Sequence, residues 1–147
     1  MKALQNLFIL VAEDDADDAA IIKRSFEKHA AFAKVLVVEN GKELWDFLKL
    51  WDAQKPDIIL SDINMPVLSG IEVLEKIAGD VNLCAIPFFM YSSSGNMVYE
   101  KKCRDLGAKG FLVKPFNLAE FDEIPYQVIY RLKKDQRDQS GNDTDDV

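Results

Sequence analysis

The sequence predicts an α/β domain built on an open, doubly wound parallel sheet, and three observations carry that expectation. Apolar runs of strand length alternate five times with amphipathic segments of helix length, which is the pattern of a sheet made from crossover units. Three of those runs, LFILVA (7–12), DIIL (57–60) and PFFMYS (87–92), are continuously apolar, as strands covered on both faces must be. The chain has 147 residues, 48% of them hydrophobic, including nine Phe and two Trp. That is enough for one domain with a substantial core.

The first strand is expected from Leu7 to Ala12. Five acids in six residues follow it, Glu13, Asp14, Asp15, Asp17 and Asp18, and the last two open a helix predicted over Asp17 to Ala31, where Ala20, Ile21, Phe26 and Ala30 lie near one face. A second strand spans Lys34 to Glu39. The next helix, Gly41 to Trp51, recurs through Leu44, Phe47, Leu48 and Trp51. The third strand, Ile58 to Ser61, ends just before Asp62. Ser69 and Gly70 precede a helix in which Ile71, Leu74 and Ile77 repeat at helical spacing and Gly79 is the stop. The fourth strand is Phe88 to Ser92, followed by a weaker helix from Asn96 to Leu106 that Gly107 closes. The fifth strand is Gly110 to Val113. Asn117 then caps a last helix that runs to about Lys134, with Pro125 as an irregularity inside it. The segment DQRDQSGNDTDDV has almost no apolar residues and is expected to be a disordered acidic tail. The predicted organisation is a domain over residues 1–134 and a tail over 135–147.

The formal net charge is −7 and the isoelectric point about 4.7. Such a chain has no basic patch with which to displace counterions from phosphates, so nucleic acid is not an expected partner. Much of the surplus is in the tail, where Asp135, Asp138, Asp143, Asp145 and Asp146 stand against Arg137. No apolar run approaches the roughly 20 residues that cross a bilayer, so no membrane association is expected. Cys84 and Cys103 lack metal-ligand spacing and read as small apolar fillers, and the N-terminus lacks secretory features; a cytoplasmic location is the expectation.

In a doubly wound sheet, ligands bind beyond the carboxyl ends of the strands. Residues following strand ends should therefore converge, and here they are Glu13, Asp14 and Asp15; Asp62; Ser92, Ser93 and Ser94; and Lys114 with Pro115. Crowded carboxylates repel one another unless a cation offsets them. A hard divalent ion such as magnesium suits carboxylates, a carbonyl and waters, and the lysine and hydroxyl suit phosphoryl oxygens.

The stretches AEDDADD, PDIILSDINMPVLSG, FFMYSSS and GAKGFLVKPF resemble the receiver domain of two-component response regulators, over about Leu4 to Lys134. The resemblance implies a flavodoxin-like fold with strand order 2-1-3-4-5 and five helices. It implies that Asp62 accepts a phosphoryl group from a histidine kinase or phosphotransfer protein, in a protein that promotes its own phosphorylation and dephosphorylation without being a conventional turnover enzyme. Glu13, Asp14, Asp62 and the backbone carbonyl of Asn64 would hold magnesium, with Asp14 the direct ligand and Glu13 acting through water. Ser92 would be the switch hydroxyl, Lys114 the phosphate-binding lysine, and Phe111 the aromatic switch residue. The family commonly joins the lysine and proline by a cis bond. Its readout surface, and a route to a homodimer, is the fourth helix, fifth strand and fifth helix. EDDADD also resembles the regulators paired with phytochrome-like or hybrid kinases.

Plainer readings stand beside these. Asp17 and Asp18 read as helix-start acids, and Asp15 as a cap. Phe111 is also a core-packing candidate, and without a hydroxyl it has no hydrogen bond to make when turned outward. His29 reads as a dipole-stabilising or solvated residue rather than a ligand, and of Trp45 and Trp51, six apart on one helix, one is expected at a partner surface. A hydrolase that forms an acyl phosphate is the rival class, but such enzymes place a second Asp two residues after the first, where this chain has Asn64. A receiver-like module used only for binding would dispense with Asp62, Asp14 or Lys114, and all three are here. Since no output domain is expected past Lys134, the expected output is a protein partner.

Overall fold

The structure, a computed structural model, describes residues 4–145, without the side chains of 94, 95 and 139–145. Five strands, β1 (Leu7–Ala12), β2 (Phe32–Val38), β3 (Ile58–Asp62), β4 (Phe88–Ser92) and β5 (Gly110–Val113), form one parallel sheet in the order β2-β1-β3-β4-β5. Every residue of β1, β3 and β4 is buried, which is why those three runs carry no polar alternation. The edge strands β2 and β5 are partly exposed.

Helix α1 (Ala16–Lys28) begins earlier and ends earlier than its apolar spacing predicts. Asp15 is its cap, accepting from the Asp18 backbone N–H at 2.9 Å, so the neighbour of the acidic pair has a structural duty. Helices α2 (Gly41–Lys49) and α3 (Gly70–Ala78) follow. Asn40 caps α2, and Ser69 with Glu72 forms a reciprocal capping box on α3, which satisfies N–H groups that helix starts leave open. The fourth helical segment is a 3-10 turn, Ser94–Tyr99, leading into a short α4 (Glu100–Asp105). Gly107, at φ +106°, ends it in the left-handed region that glycine enters without a Cβ penalty.

The fifth segment is split. A single turn, α5 (Leu118–Phe121), precedes α6 (Ile124–Asp145). Pro125 stands in the first turn of α6, where its missing N–H costs no helical hydrogen bond, so the proline marks a helix start and not a flaw within one. The α6 backbone continues across 135–145, past Lys134, where the sequence places the end of the last helix, since a helix propagates more readily than it nucleates; 146–147, the end of the expected tail, lie outside the described residues.

The sheet separates two apolar layers. On one face Leu7, Ile9, Val11, Ile58, Leu60, Phe89 and Tyr91 pack with Ile22 and Phe26 of α1 and Val128 and Ile129 of α6. On the other, Leu10, Ile59, Phe88 and Met90 pack with Leu44 and Leu48 of α2, Val73, Leu74 and Ile77 of α3, and Cys103 of α4. Burying a side chain such as Ile22 or Phe26 contributes about 1.5–3 kcal/mol.

Candidate functional site

Side chains alternate between the faces of a strand, and this alternation assembles the site. Val11, Leu60, Tyr91 and Leu112 share the α1/α6 face. Two residues beyond Val11, Leu60 and Leu112 come Glu13, Asp62 and Lys114, so β1, β3 and, across β4, β5 deliver those groups to the same face at the carboxyl edge of the sheet. Ser92 and Phe111 belong to the opposite parity, with Phe111 packed against the α2–α4 layer and paired in register with Met90.

Lys114 is the hub. Its Nζ lies 2.7 Å from Asp62 Oδ2, 2.8 Å from Glu13 Oε1 and 3.3 Å from Asp18 Oδ2. Glu13 and Asp62 are buried, whereas Asp14 is exposed. Carboxylate oxygens of Glu13, Asp14 and Asp62 lie within 4.8 Å of one another. This is the donor set of a hard divalent cation: oxygens only, crowded enough to repel, with one acid facing solvent. Asn64 donates its backbone N–H to Asp62 Oδ1 at 3.3 Å, which places the turn after β3 against the carboxylate.

Burial pushes the Asp62 carboxyl above its ordinary range; the hydrogen bond and charge of Lys114 oppose that, and the charge of Glu13 adds to it. For Lys114, burial alone would lower the ammonium, but the hydrogen bonds and charges of Asp62 and Glu13 prevail and raise it. It stays charged wherever a phosphoryl group exists as an anion.

Ser92 is buried at the end of β4, and its Oγ accepts from Asn96 Nδ2 at 2.6 Å. The Ser92 carbonyl accepts from the Lys114 backbone N–H at 2.7 Å, tying the ends of β4 and β5 together. The described residues contain no cis peptide bond, so the Lys114–Pro115 bond is trans where the resemblance implied cis; Lys114 reaches Asp62 from that backbone. In the loop after β3, Leu68 N–H bonds back to the Pro66 carbonyl at 2.8 Å around Val67 at φ +69°, a γ-turn with an exposed valine at its tip.

Three participants do not stand out in the sequence. Asp18, read as a helix-start acid, also faces Lys114. Asn96 holds Ser92. Tyr91, hidden in an apolar run, is fully buried and its hydroxyl donates to Glu13 Oε1. Strand parity would have flagged Tyr91, since it shares its face with Leu60 and hence with Asp62.

A family model described as the response regulator receiver domain matches residues 9–124. The chain belongs to the response regulator receiver family. This receiver is 28% identical over 134 residues to the two-component response regulator ARR17 of Arabidopsis thaliana, covering 85% of this chain and 86% of that one. It is 34% identical over 113 residues to histidine kinase P4 of Formosa agariphila, covering 77% of this chain but 8% of that protein; in that relative the match is to a small part of the chain. Among solved structures, the phosphorylated cyanobacterial phytochrome response regulator RcpA superposes with a TM-score of 0.77 at 28% identity, covering 84% of this chain and 91% of that one. The Mn²⁺-bound response regulator Rcp1 superposes at 0.74 with 23% identity, covering 83% and 91%, a likeness of fold. The receiver therefore has the architecture of a phosphoacceptor switch, and among its described residues no helix is long and apolar enough to cross a membrane.

Proposed function

We propose that this receiver accepts a phosphoryl group on Asp62 from a histidine kinase or phosphotransfer protein and signals through protein contacts that depend on it. The observation that carries the reading is Lys114 Nζ at 2.7 Å from Asp62 Oδ2, beside three carboxylates whose oxygens crowd within 4.8 Å. Asp14, Asp62 and the Asn64 carbonyl would hold magnesium, with Glu13 acting through water. When bound, the ion supplies positive charge that keeps Asp62 ionised and offsets charge on the phosphoryl oxygens.

Asp62 is the nucleophile. One of its oxygens forms a bond to phosphorus as the bond from phosphorus to the donor's imidazole nitrogen breaks, and the electron pair stays on that nitrogen, which takes up a proton. Lys114 then turns from the carboxylates to a phosphoryl oxygen. Because the Ser92 Oγ accepts from Asn96, its hydroxyl hydrogen is free to donate to a second one. A phosphoryl group carrying nearly two negative charges draws Ser92 inward, and Phe111, half-buried on the same face, follows into the space it leaves. Loss of the phosphoryl group to water restores the carboxylate.

The output surface in this reading is formed by α4, β5 and α6. A groove of about 510 Å³ runs there, lined by Arg104, Phe111, Tyr126, Tyr130 and Arg131 among others, and it is the face on which a downstream protein or a second receiver would dock. The 28% identity to RcpA supports a phytochrome-like kinase as the donor, and a cytoplasmic location accords with such a partner.

The test is labelling. With magnesium and acetyl phosphate, one hydroxylamine-labile adduct is expected at Asp62 by mass spectrometry, with none in Asp62→Asn. Labelling elsewhere, or continuous phosphate release without an accumulating adduct, would replace this reading with that of a hydrolase.

A further inference from the structure

Three of the roughly four acceptor positions of the Glu13 carboxylate are taken. Its Oε1 accepts from the Tyr91 hydroxyl and from Lys114 Nζ at 2.8 Å, and its Oε2 accepts from the Asp15 backbone N–H at 3.1 Å. Both lone pairs of Oε1 are thereby used. Asp14, one residue on, is exposed, and Asp62 presents Oδ1 with a single backbone donor. Glu13 and Tyr91 are almost wholly buried, so water cannot substitute for either partner.

Tyr91 is well placed for this. It is in register with Asp62 across β3–β4 and with Leu112 across β4–β5. Its ring centre lies 5.1 Å from Lys114 Nζ, so one residue touches the lysine with its ring and the glutamate with its hydroxyl. A phenylalanine would fill the same core volume and keep the ring contact. The hydroxyl is the part that core packing does not require.

We propose that Tyr91 is a positioning residue of the cation site: its hydroxyl keeps Glu13 turned toward Lys114 and out of direct ligation, and so sets the preference of the site for magnesium over calcium. The inference rests on the cation site of the proposed function. With Glu13 held back, few protein oxygens reach the ion and several positions remain for water, which suits magnesium and its strict octahedral shell. A released Glu13 adds carboxylate oxygens, which suits the six to eight ligands and looser geometry of calcium.

The test uses the full chain and metal ions alone. Calorimetric titration with Mg²⁺ and with Ca²⁺ gives two dissociation constants for the wild type, Tyr91→Phe, Glu13→Gln and the double variant. Tyr91→Phe is expected to move the ratio of the constants about tenfold toward calcium, with no further movement when it is added to Glu13→Gln. Phe89→Leu, a packing change on the same strand and face, is expected to lower the melting temperature without moving the ratio. A Tyr91→Phe ratio equal to the wild type's, or one that shifts equally in the Glu13→Gln background, overturns the inference while leaving the cation site intact. A wild type that binds neither ion overturns the site reading and this inference with it. Should Tyr91→Phe not fold, 3-fluorotyrosine incorporated at position 91 replaces it: the fluorine resonance is expected to move with the midpoint of the Mg²⁺ titration, and a resonance unmoved at saturation overturns the proposal.

Discussion

At the scale of single residues, Gly70 sets how close α3 comes to the candidate acceptor. A Cβ there would lie 2.2 Å from the Asp62 carbonyl oxygen and 2.9 Å from Met90 Sδ, so even a methyl group has no room without displacing the backbone that ends β3. Gly70→Ala is expected to cost about 1–3 kcal/mol in urea denaturation, the usual range for overpacking, and to slow acetyl phosphate labelling of Asp62. Wild-type stability together with wild-type labelling would show that the loop yields freely. This constraint is only half legible in the sequence. Ser69-Gly70 reads as a helix start, and it is one, but the second duty of the glycine depends on β3 lying underneath. Asp15 and Asp18 show the same limit: charge alone places both at a helix start, and only the fold separates the cap from the acid that faces Lys114.

Among the elements, α1 carries an acid-sensitive end. His29, its C-terminal cap, accepts the Ala31 backbone N–H at Nδ1, 3.1 Å away, and packs edge-on against Phe32 and Tyr126. The ring must be unprotonated at Nδ1 to accept, so it acts as a neutral acceptor and not as the charged dipole partner that its position near a helix end predicts. Burial, and then the charge of Lys133, lowers its pKa below the ordinary 6.5. Between that lowered value and 6.5 the unfolded chain binds the proton more readily, so stability is full above 6.5 and falls as the pH drops through this window. Melting temperatures from pH 7.5 to 5.5 are expected to fall more steeply for the wild type than for His29→Asn, which keeps an acceptor and loses the titration; parallel slopes would rule this out. Regular elements with continuous apolar runs are the ones the sequence locates best: β1, β4 and β5 begin and end where the pattern places them. The 3-10 entry to α4 and the break between α5 and α6 are invisible to periodicity, because both depend on where the chain must turn to cover the sheet.

Over the whole molecule, the parallel sheet gathers its charge at one edge, where crowded ionised carboxylates oppose folding unless a cation offsets them. Asp62 is buried beside Glu13 with a raised pKa, so the folded state holds that proton more tightly than the unfolded chain does. The corresponding loss of stability is absent at pH values below the ordinary carboxylate range and sets in as the pH rises through it to the raised value. Lys114 softens the loss without abolishing it, since burial is the largest of the opposing influences, and in Asp62→Asn it still has Glu13 and Asp18 as partners. In EDTA at neutral pH, Asp62→Asn is therefore expected to unfold at higher denaturant than the wild type, by about 1 kcal/mol, the scale of other substitutions that relieve a functional site. The advantage should shrink as the pH is lowered toward 4. Magnesium at one hundred times its dissociation constant stabilises a protein that binds it only when folded by about 2.7 kcal/mol. Since the variant lacks one of the carboxylates, it gains less, and the order of stability is expected to reverse when magnesium replaces EDTA. Paired urea titrations read both halves of the prediction: an Asp62→Asn protein that is the less stable in EDTA would show that Lys114 outweighs burial, and an order unchanged by magnesium would show that Asp62 takes no part in holding the ion.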